Sequence, residues 1–265
     1  MGRALDQPRP RPDPGSQPHR REDHLRSLRF FRFLAWYGRG EPDAAAVAAI
    51  TALKDQVANL AAERISAELL KMLAAEEPRP AVRLMRETGV LQVVLPGPLD
   101  LARFEALVGI ETGLGEPDAL LRLAALLPDE PAQAVGAAAR LRLSNAQRDR
   151  LAAALAPARE LAPGIAPQAA RALVYRLGVQ AFRDRVKLNW AGVGGDAADW
   201  RGILGVGAAW TSPQLPVNGA DAVAAGATRG PKVGEALRAL EAWWIAGDFT
   251  ADRAAALAKL KELIG

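Results

Sequence analysis

"RREDHLRSLRFFRF", residues 20–33, places an acidic pair inside a run of arginines and follows it with aromatics. Set on a helical wheel of 100° per residue, Glu22, Arg26, Arg29 and Phe33 fall on one face, with Asp23 and Phe30 on its flank. Leu25, Leu28 and Phe31 point elsewhere, as residues facing a core should. The stretch therefore predicts an amphipathic helix over 21–37, ended by Gly38 and Gly40. Helical periodicity of this kind recurs along nearly the whole chain.

Working outward, Asp43 is a plausible cap for a helix over 44–57, and "AERISAELLKMLAAE" predicts another over 62–76, closed by Pro78 and Pro80. A short helix over 80–87 stops at Gly89, and an apolar stretch runs from there to Pro96. Further helices are expected at 99–111, 117–127 and 131–140. Ser144 with Gln147 three residues on opens the next as a capping box. Helices at 167–177 and 179–191 precede the glycine-rich shift "AGVGGDAADW", and 196–204, 219–225, 231–246 and 250–264 complete the chain. Residues 1–19 are Pro-rich and polar and read as disordered. No fixed-period repeat and no alternating strand pattern occurs. The expectation is an all-α protein of ten or more helices in a non-bundle arrangement.

Composition agrees. Half of the 265 residues are hydrophobic, dominated by Ala and Leu, while strand-favouring residues are sparse. The formal net charge is +4 and lysine is scarce, so arginine carries the positive charge. That suits phosphate contact, although arginine richness also follows from a GC-rich genome. With no cysteine there is no disulfide, thiolate metal site or cysteine nucleophile; two histidines, His19 and His24, rule out a His-rich metal centre. Apolar runs are broken by charges well short of membrane-spanning length, and the N-terminus shows no apolar secretory segment, so a cytoplasmic protein is expected.

Asp23 and Arg26 are neighbours on a helix, and their plainest role is a surface ion pair with Glu22 completing an acidic helix start. The hydrogen-bond inventory allows more. A carboxylate only accepts and a guanidinium only donates. Held side by side, the two complement a flat edge that shows a donor beside an acceptor. Cytosine and adenine present that edge; uracil and guanine present the reverse. A second candidate lies at Gly230–Pro231, where a helix starts just after a tight turn with Arg229 and Lys232 beside its free amides. This reads either as a phosphate clamp or as an ordinary solvated helix start. Trp243 and Trp244 read as packing residues rather than base stackers.

"EDHLRSLRFFRFLAWYG" followed by "AERISAELLKMLAAEEPRPAVRLMRETGVLQVVLPG" resembles the bacterial tRNA nucleotidyltransferase (CCA-adding enzyme) and poly(A) polymerase family. The tail, "LPVNGADAVAAGATRGPKVGEALRALEAWWIAGDF", is similar to a bacterial subgroup of it. The resemblance implies a neck over 20–96, a body over 97–192 and a tRNA-binding tail over 193–265. The family's E-D-x-x-R motif matches at Glu22, Asp23 and Arg26, implying that Asp23 and Arg26 read the Watson–Crick edge of CTP or ATP. It makes Arg29 a nucleotide contact, a tRNA-phosphate contact or a brace, Arg32 an RNA contact, and Glu63, Arg64 and Glu68 supports of the nucleotide site. Arg229, Gly230 and Lys232 become contacts to the RNA backbone. Where the family often places Ser, Ala61 stands, so a helix cap is expected to be missing.

In that family two metal ions are held by a D-x-D pair on a β-sheet head that precedes the neck. No D-x-D occurs in these 265 residues, and the nearest spacings, Glu41–Asp43 and Glu116–Asp118, have Pro between them and read as helix caps. The expectation is the neck, body and tail of a CCA-adding enzyme without its catalytic head, binding no cofactor itself and inactive alone, with Mg2+ entering through the head. The implied partners are tRNA, CTP, ATP and a possible separate head-domain polypeptide. Two other readings stand beside it: a poly(A) polymerase fragment, and a stand-alone helical RNA-binding module.

Overall fold

The computed structural model describes residues 18–265 apart from residue 159, with side chains described from His24 onward. Most of the Pro-rich 1–19 segment therefore lies outside the described residues. The described residues form fifteen α-helices and one 3₁₀ helix and contain no strand, as the helical periodicity predicts. They divide into two compact units that meet in sequence between Pro157 and Ala158.

The first unit is built on α1 (Pro18–Tyr37), which packs against α3 (Ala62–Leu73) and α4 (Arg79–Glu87). Leu25, Leu28 and Phe31 of α1 are buried, the three residues that the wheel turns inward. Facing elements bury Ile65, Leu69, Met72 and Leu73 of α3 and Ala81, Val82 and Met85 of α4. At about 1.5–3 kcal/mol for each large apolar side chain, this seam is what fixes α1 on the unit. The remaining helices of the unit are α2 (Ala44–Ala52), α5 (Val90–Val94), α6 (Leu101–Leu114), α7 (Ala119–Leu126), α8 (Pro131–Arg140) and α9 (Asn145–Ala154).

The helix expected over 196–204 runs on to Ala209, and two further segments differ from the sequence expectation. The helix expected over 44–57 stops at Ala52, and a 3₁₀ helix takes Lys54–Asn59. The Leu53 amide is shared between the carbonyls of Ala49 and Ile50 at 3.2 Å each, which marks the change from four-residue to three-residue bonding. The apolar stretch after Gly89 is the short helix α5. Val90, Leu91 and Val94 are buried while Gln92 is exposed, donating to the Gly97 carbonyl at 2.9 Å. A strand would have set Gln92 on the same face as Val90 and Val94; the helical i, i+1, i+4 spacing keeps it out. Gly89 opens α5 at φ +76°, where a β-carbon would also crowd the Lys54 side chain.

The caps read from sequence are present. Asp43 accepts from the Ala45 and Ala46 amides at 2.8 and 3.4 Å, and Asp118 from Leu120 and Leu121 at 3.0 Å each. Ser144 and Gln147 form the reciprocal capping box, at 3.3 and 3.0 Å. Ala61 at the start of α3 has no side-chain cap.

The second unit contains α10 (Pro167–Leu177), α11 (Val179–Val193), α12 (Ala197–Ala209), α13 (Gly219–Ala224), α14 (Pro231–Ala246) and α15 (Arg253–Ile264). Val217, Ala222, Ala227, Ala236, Leu240, Ala256 and Leu260 form the core shared by α13, α14 and α15. Trp244 is buried, packs edge-on against Tyr175 and Phe249, and donates its indole N–H to the Ala251 carbonyl at 3.0 Å. Trp243 is partly exposed beside it. Tyr175 of α10 donates to Glu241 of α14 at 2.7 Å.

Candidate nucleotide-binding cleft

The middle of α1 and the first two turns of α3 enclose an open cleft of about 570 Å³. Leu25, Arg26 and Arg29 line it from α1, and Glu63, Arg64, Ala67 and Glu68 from α3. Five of the residues singled out in the sequence thus converge on one place: Arg26, Arg29, Glu63, Arg64 and Glu68. They do so because α1 is turned by its buried Leu25–Leu28–Phe31 stripe, which leaves Arg26 and Arg29 facing outward. Glu22 and Asp23 lie in the helical backbone of α1, but their side chains are outside the described residues.

Glu68 is the electrostatic centre of the floor. Its carboxylate is buried, with Arg32 Nε at 2.7 Å from one oxygen and Arg29 Nε at 3.8 Å from the other. Arg32, read from sequence as an RNA contact, is therefore directed at Glu68, with its guanidinium 4.6 Å from the centre of the Phe33 ring. Arg29 keeps half of its side chain exposed above the cleft. Arg64 is exposed and has no carboxylate partner among the described residues, although Glu68 is one helical turn away. Glu63 accepts from Arg142 of the turn after α8 at 2.7 Å, and that hydrogen bond holds its carboxyl below the usual carboxylate range. Both carboxylates of the cleft are thus engaged by arginine. With the uncapped amides at the start of α3 alongside, the cleft suits an anion.

The far end of α3 is held by a device that the sequence reading missed. Arg122 of α7 is almost completely buried and donates to the Leu73 carbonyl at 2.7 Å, to the Ala75 carbonyl, and to the fully buried Glu111 of α6. Arg103 does the same for α7, donating to the carbonyls of Ala124, Ala125 and Leu127 and to Asp129. Arg140 does it for α5, donating to the carbonyls of Val93 and Val94. These guanidiniums satisfy the orphan carbonyls of helix C-termini and oppose the negative end of the helix dipole. One signal was available: Arg122 is the lone polar residue in "ALLRLAAL". Trp36 adds a fourth tie, its indole N–H donating to the Lys71 carbonyl at 2.8 Å.

In the second unit Gly230 precedes α14 at φ +106° with no side-chain cap, Pro231 is the first helical residue, and Arg229, Gly230 and Lys232 are exposed. Lys232 also lines a separate cleft of about 390 Å³ with Thr228, Glu235 and Ile264. Among the described residues no cluster of three or more His, Asp or Glu could hold a metal ion, and no helix is long and apolar enough to cross a membrane.

Residues 41–100 match the family model described as "Probable RNA and SrmB- binding site of polymerase A". No curated protein matches the chain in sequence. Among solved structures, the CCA-adding enzyme of Bacillus stearothermophilus in complex with CTP is similar at TM-score 0.66 and 26% identity, over 91% of this chain and 62% of that one. The Thermotoga maritima CCA-adding enzyme complexed with tRNA is similar at TM-score 0.61 and 20% identity, over 92% and 62%. A CCA-adding enzyme in an apo form follows at TM-score 0.59 and 18% identity, over 90% and 58%. The chain thus spans less than two thirds of the enzymes it matches. Its fold is a CCA-adding and poly(A) polymerase-like helical portion.

Proposed function

We propose that this chain is the nucleobase-reading and tRNA-binding part of a tRNA 3′-end nucleotidyltransferase that adds CCA from CTP and ATP. The observation that carries the proposal is the cleft between α1 and α3, where Arg26, Arg29 and Arg64 gather beside two carboxylates, Glu68 held by Arg32 and Glu63 held by Arg142. In this reading Asp23 accepts from the exocyclic amine of cytosine or adenine, and Arg26 donates to the adjacent ring nitrogen. Uracil and guanine offer the opposite pattern to the same pair, so each would leave two polar groups unsatisfied. Arg29 and Arg64 then face the phosphates, while Glu68 and Arg32 hold the floor. Arg229, Gly230 and Lys232 contact the RNA backbone through the start of α14.

Transfer itself calls for metal-holding carboxylates. Asp43 and Asp118, the nearest candidates in sequence spacing, are committed to capping α2 and α7. The metal chemistry is therefore assigned to a head domain, on this or another polypeptide, with Mg2+ bound there. The 265-residue chain alone should not extend tRNA lacking its 3′ end when given CTP, ATP and magnesium.

Calorimetric titration with the four nucleoside triphosphates tests the base reading. CTP and ATP should bind at least about tenfold more tightly than UTP and GTP, and Arg26→Ala should erase the difference. Equal binding of all four by the wild-type chain would sink the reading. Binding of ATP with rejection of CTP would point to a poly(A) polymerase instead.

A further inference from the structure

Arg142 stands in the left-handed region at φ +48°, immediately after α8. Its amide bonds the Ala139 carbonyl at 3.2 Å and the next amide, of Leu143, bonds Ala138 at 2.9 Å, an arrangement that ends helices and for which glycine is the unstrained choice. Among the described residues two other non-glycine positions have positive φ, Asp248 and Phe249, and the packing accounts for both. Asp248 forms a two-point ion pair with Arg171, and Phe249 packs against Tyr175, Trp210 and Trp244. Arg142 has no such account. Its side chain is 69% exposed, and its partner Glu63 is 57% exposed. An exposed ion pair contributes little to stability and does not offset the backbone strain. Strain that the packing does not explain is a pointer to function.

Glu63 lines the cleft, and the Arg142 guanidinium lies 2.7 Å from its carboxylate. The charged groups facing that point are Arg26, Arg29 and Arg64, together with Glu68, which Arg32 holds. A phosphate entering the cleft meets three guanidiniums on the lining, and a fourth, that of Arg142, is hydrogen-bonded to the lining residue Glu63. We propose that Arg142 is a phosphate-binding residue of this cleft, parked on Glu63 until a phosphate group displaces the carboxylate. The proposal rests on the reading of the cleft as a nucleotide site. The phosphate can come from the triphosphate of a nucleotide or from an RNA backbone, and the two are separable by experiment.

The decisive variant is Arg142→Gly, which removes the side chain and relieves the backbone together. It should melt at or a few degrees above the wild type, while its affinity for phosphate falls by about tenfold. Titrations with CTP, cytidine, inorganic tripolyphosphate and a short single-stranded RNA identify the source. Loss for CTP and tripolyphosphate with cytidine unchanged assigns the triphosphate; loss for RNA alone assigns the backbone. Glu63→Gln, which frees the guanidinium, should tighten the same ligand. The proposal is overturned if Arg142→Gly binds CTP, tripolyphosphate and RNA as the wild type does, if the wild type binds none of them, or if the variant melts lower, since Arg142 would then be structural. Its fate is distinct from that of the base reading: a wild type that fails to discriminate among the four bases, yet loses tripolyphosphate on Arg142→Gly, retains Arg142 and discards the Asp23–Arg26 template.

Discussion

Arg122→Met is the sharpest test of how the cleft is built. The substitution keeps an unbranched side chain in a helix but withdraws the guanidinium seated on Leu73, Ala75 and Glu111. Glu111 is fully buried, so its charge would be left in a medium that cannot solvate it. Removing one partner of a buried pair costs about 3–5 kcal/mol. Two helix-terminal carbonyls also lose their donor, at about 1–3 kcal/mol each if water does not replace it. These losses overlap, so about 4–5 kcal/mol is the working figure, a large share of the ~5–15 kcal/mol that holds a typical domain together. For a unit of this size the midpoint of thermal unfolding should fall by about 10–20 °C. Circular dichroism against temperature and urea gives both numbers. The companion double variant, Glu111→Leu with Arg122→Met, removes both charges and should regain more than half of the loss. A single variant that melts within about 2 °C of wild type would refute the reasoning, and so would a double variant no better than the single. Because α3 carries Glu63, Arg64 and Glu68, CTP affinity should also drop in Arg122→Met at temperatures where it is still folded.

Two other outcomes are expected. Gly207→Ala should destabilise the second unit by about 1–3 kcal/mol although alanine is the better helix former, because the new methyl would sit 2.9 Å from the buried Phe182 ring; a rise in melting temperature would contradict the packing. Burial and the hydrogen bond to Glu241 push the Tyr175 phenol up to about 12. A group whose pKa is raised on folding stabilises the fold below its unfolded value near 10 and loses that contribution as pH climbs towards 12, so wild type should weaken over that window more than Tyr175→Phe. The chain has two tyrosines, so tyrosinate absorbance in a Tyr37→Phe background reports Tyr175 alone; half-titration near 10 would overturn the assignment.

What could be read in the sequence was what short-range chemistry determines. The inward stripe of α1, the caps at Asp43 and Asp118 and the Ser144–Gln147 box all depend on residues within a turn or two of each other, and all are present. The gathering of Arg26, Arg29, Glu63, Arg64 and Glu68 was reachable through family resemblance, since spacing alone cannot bring α1 to α3. The buried arginines were not reachable by either route. Arg122 finds its carbonyls 47 and 49 residues away and Arg103 finds its own 21 to 24 away, so even the one local signal, a lone arginine in an apolar helix, does not say which carbonyls are met. Arg142 was silent for a related reason: its interest lies in a backbone angle and in a partner 79 residues distant.

The same buried arginines change how this chain's charge should be counted. RNA binding is driven largely by release of the cations condensed on the phosphate backbone, and each protein cation that meets a phosphate steepens the dependence of affinity on salt. Arg103 and Arg122 can release none, because helix carbonyls and carboxylates already occupy their donors and water does not reach them. Arg32 is tied by one ion pair to Glu68, with a quarter of its side chain still exposed. A salt titration on tRNA should therefore be shallower than the 34 lysines and arginines would suggest, and its slope would number the cations that the fold leaves available to the ligand.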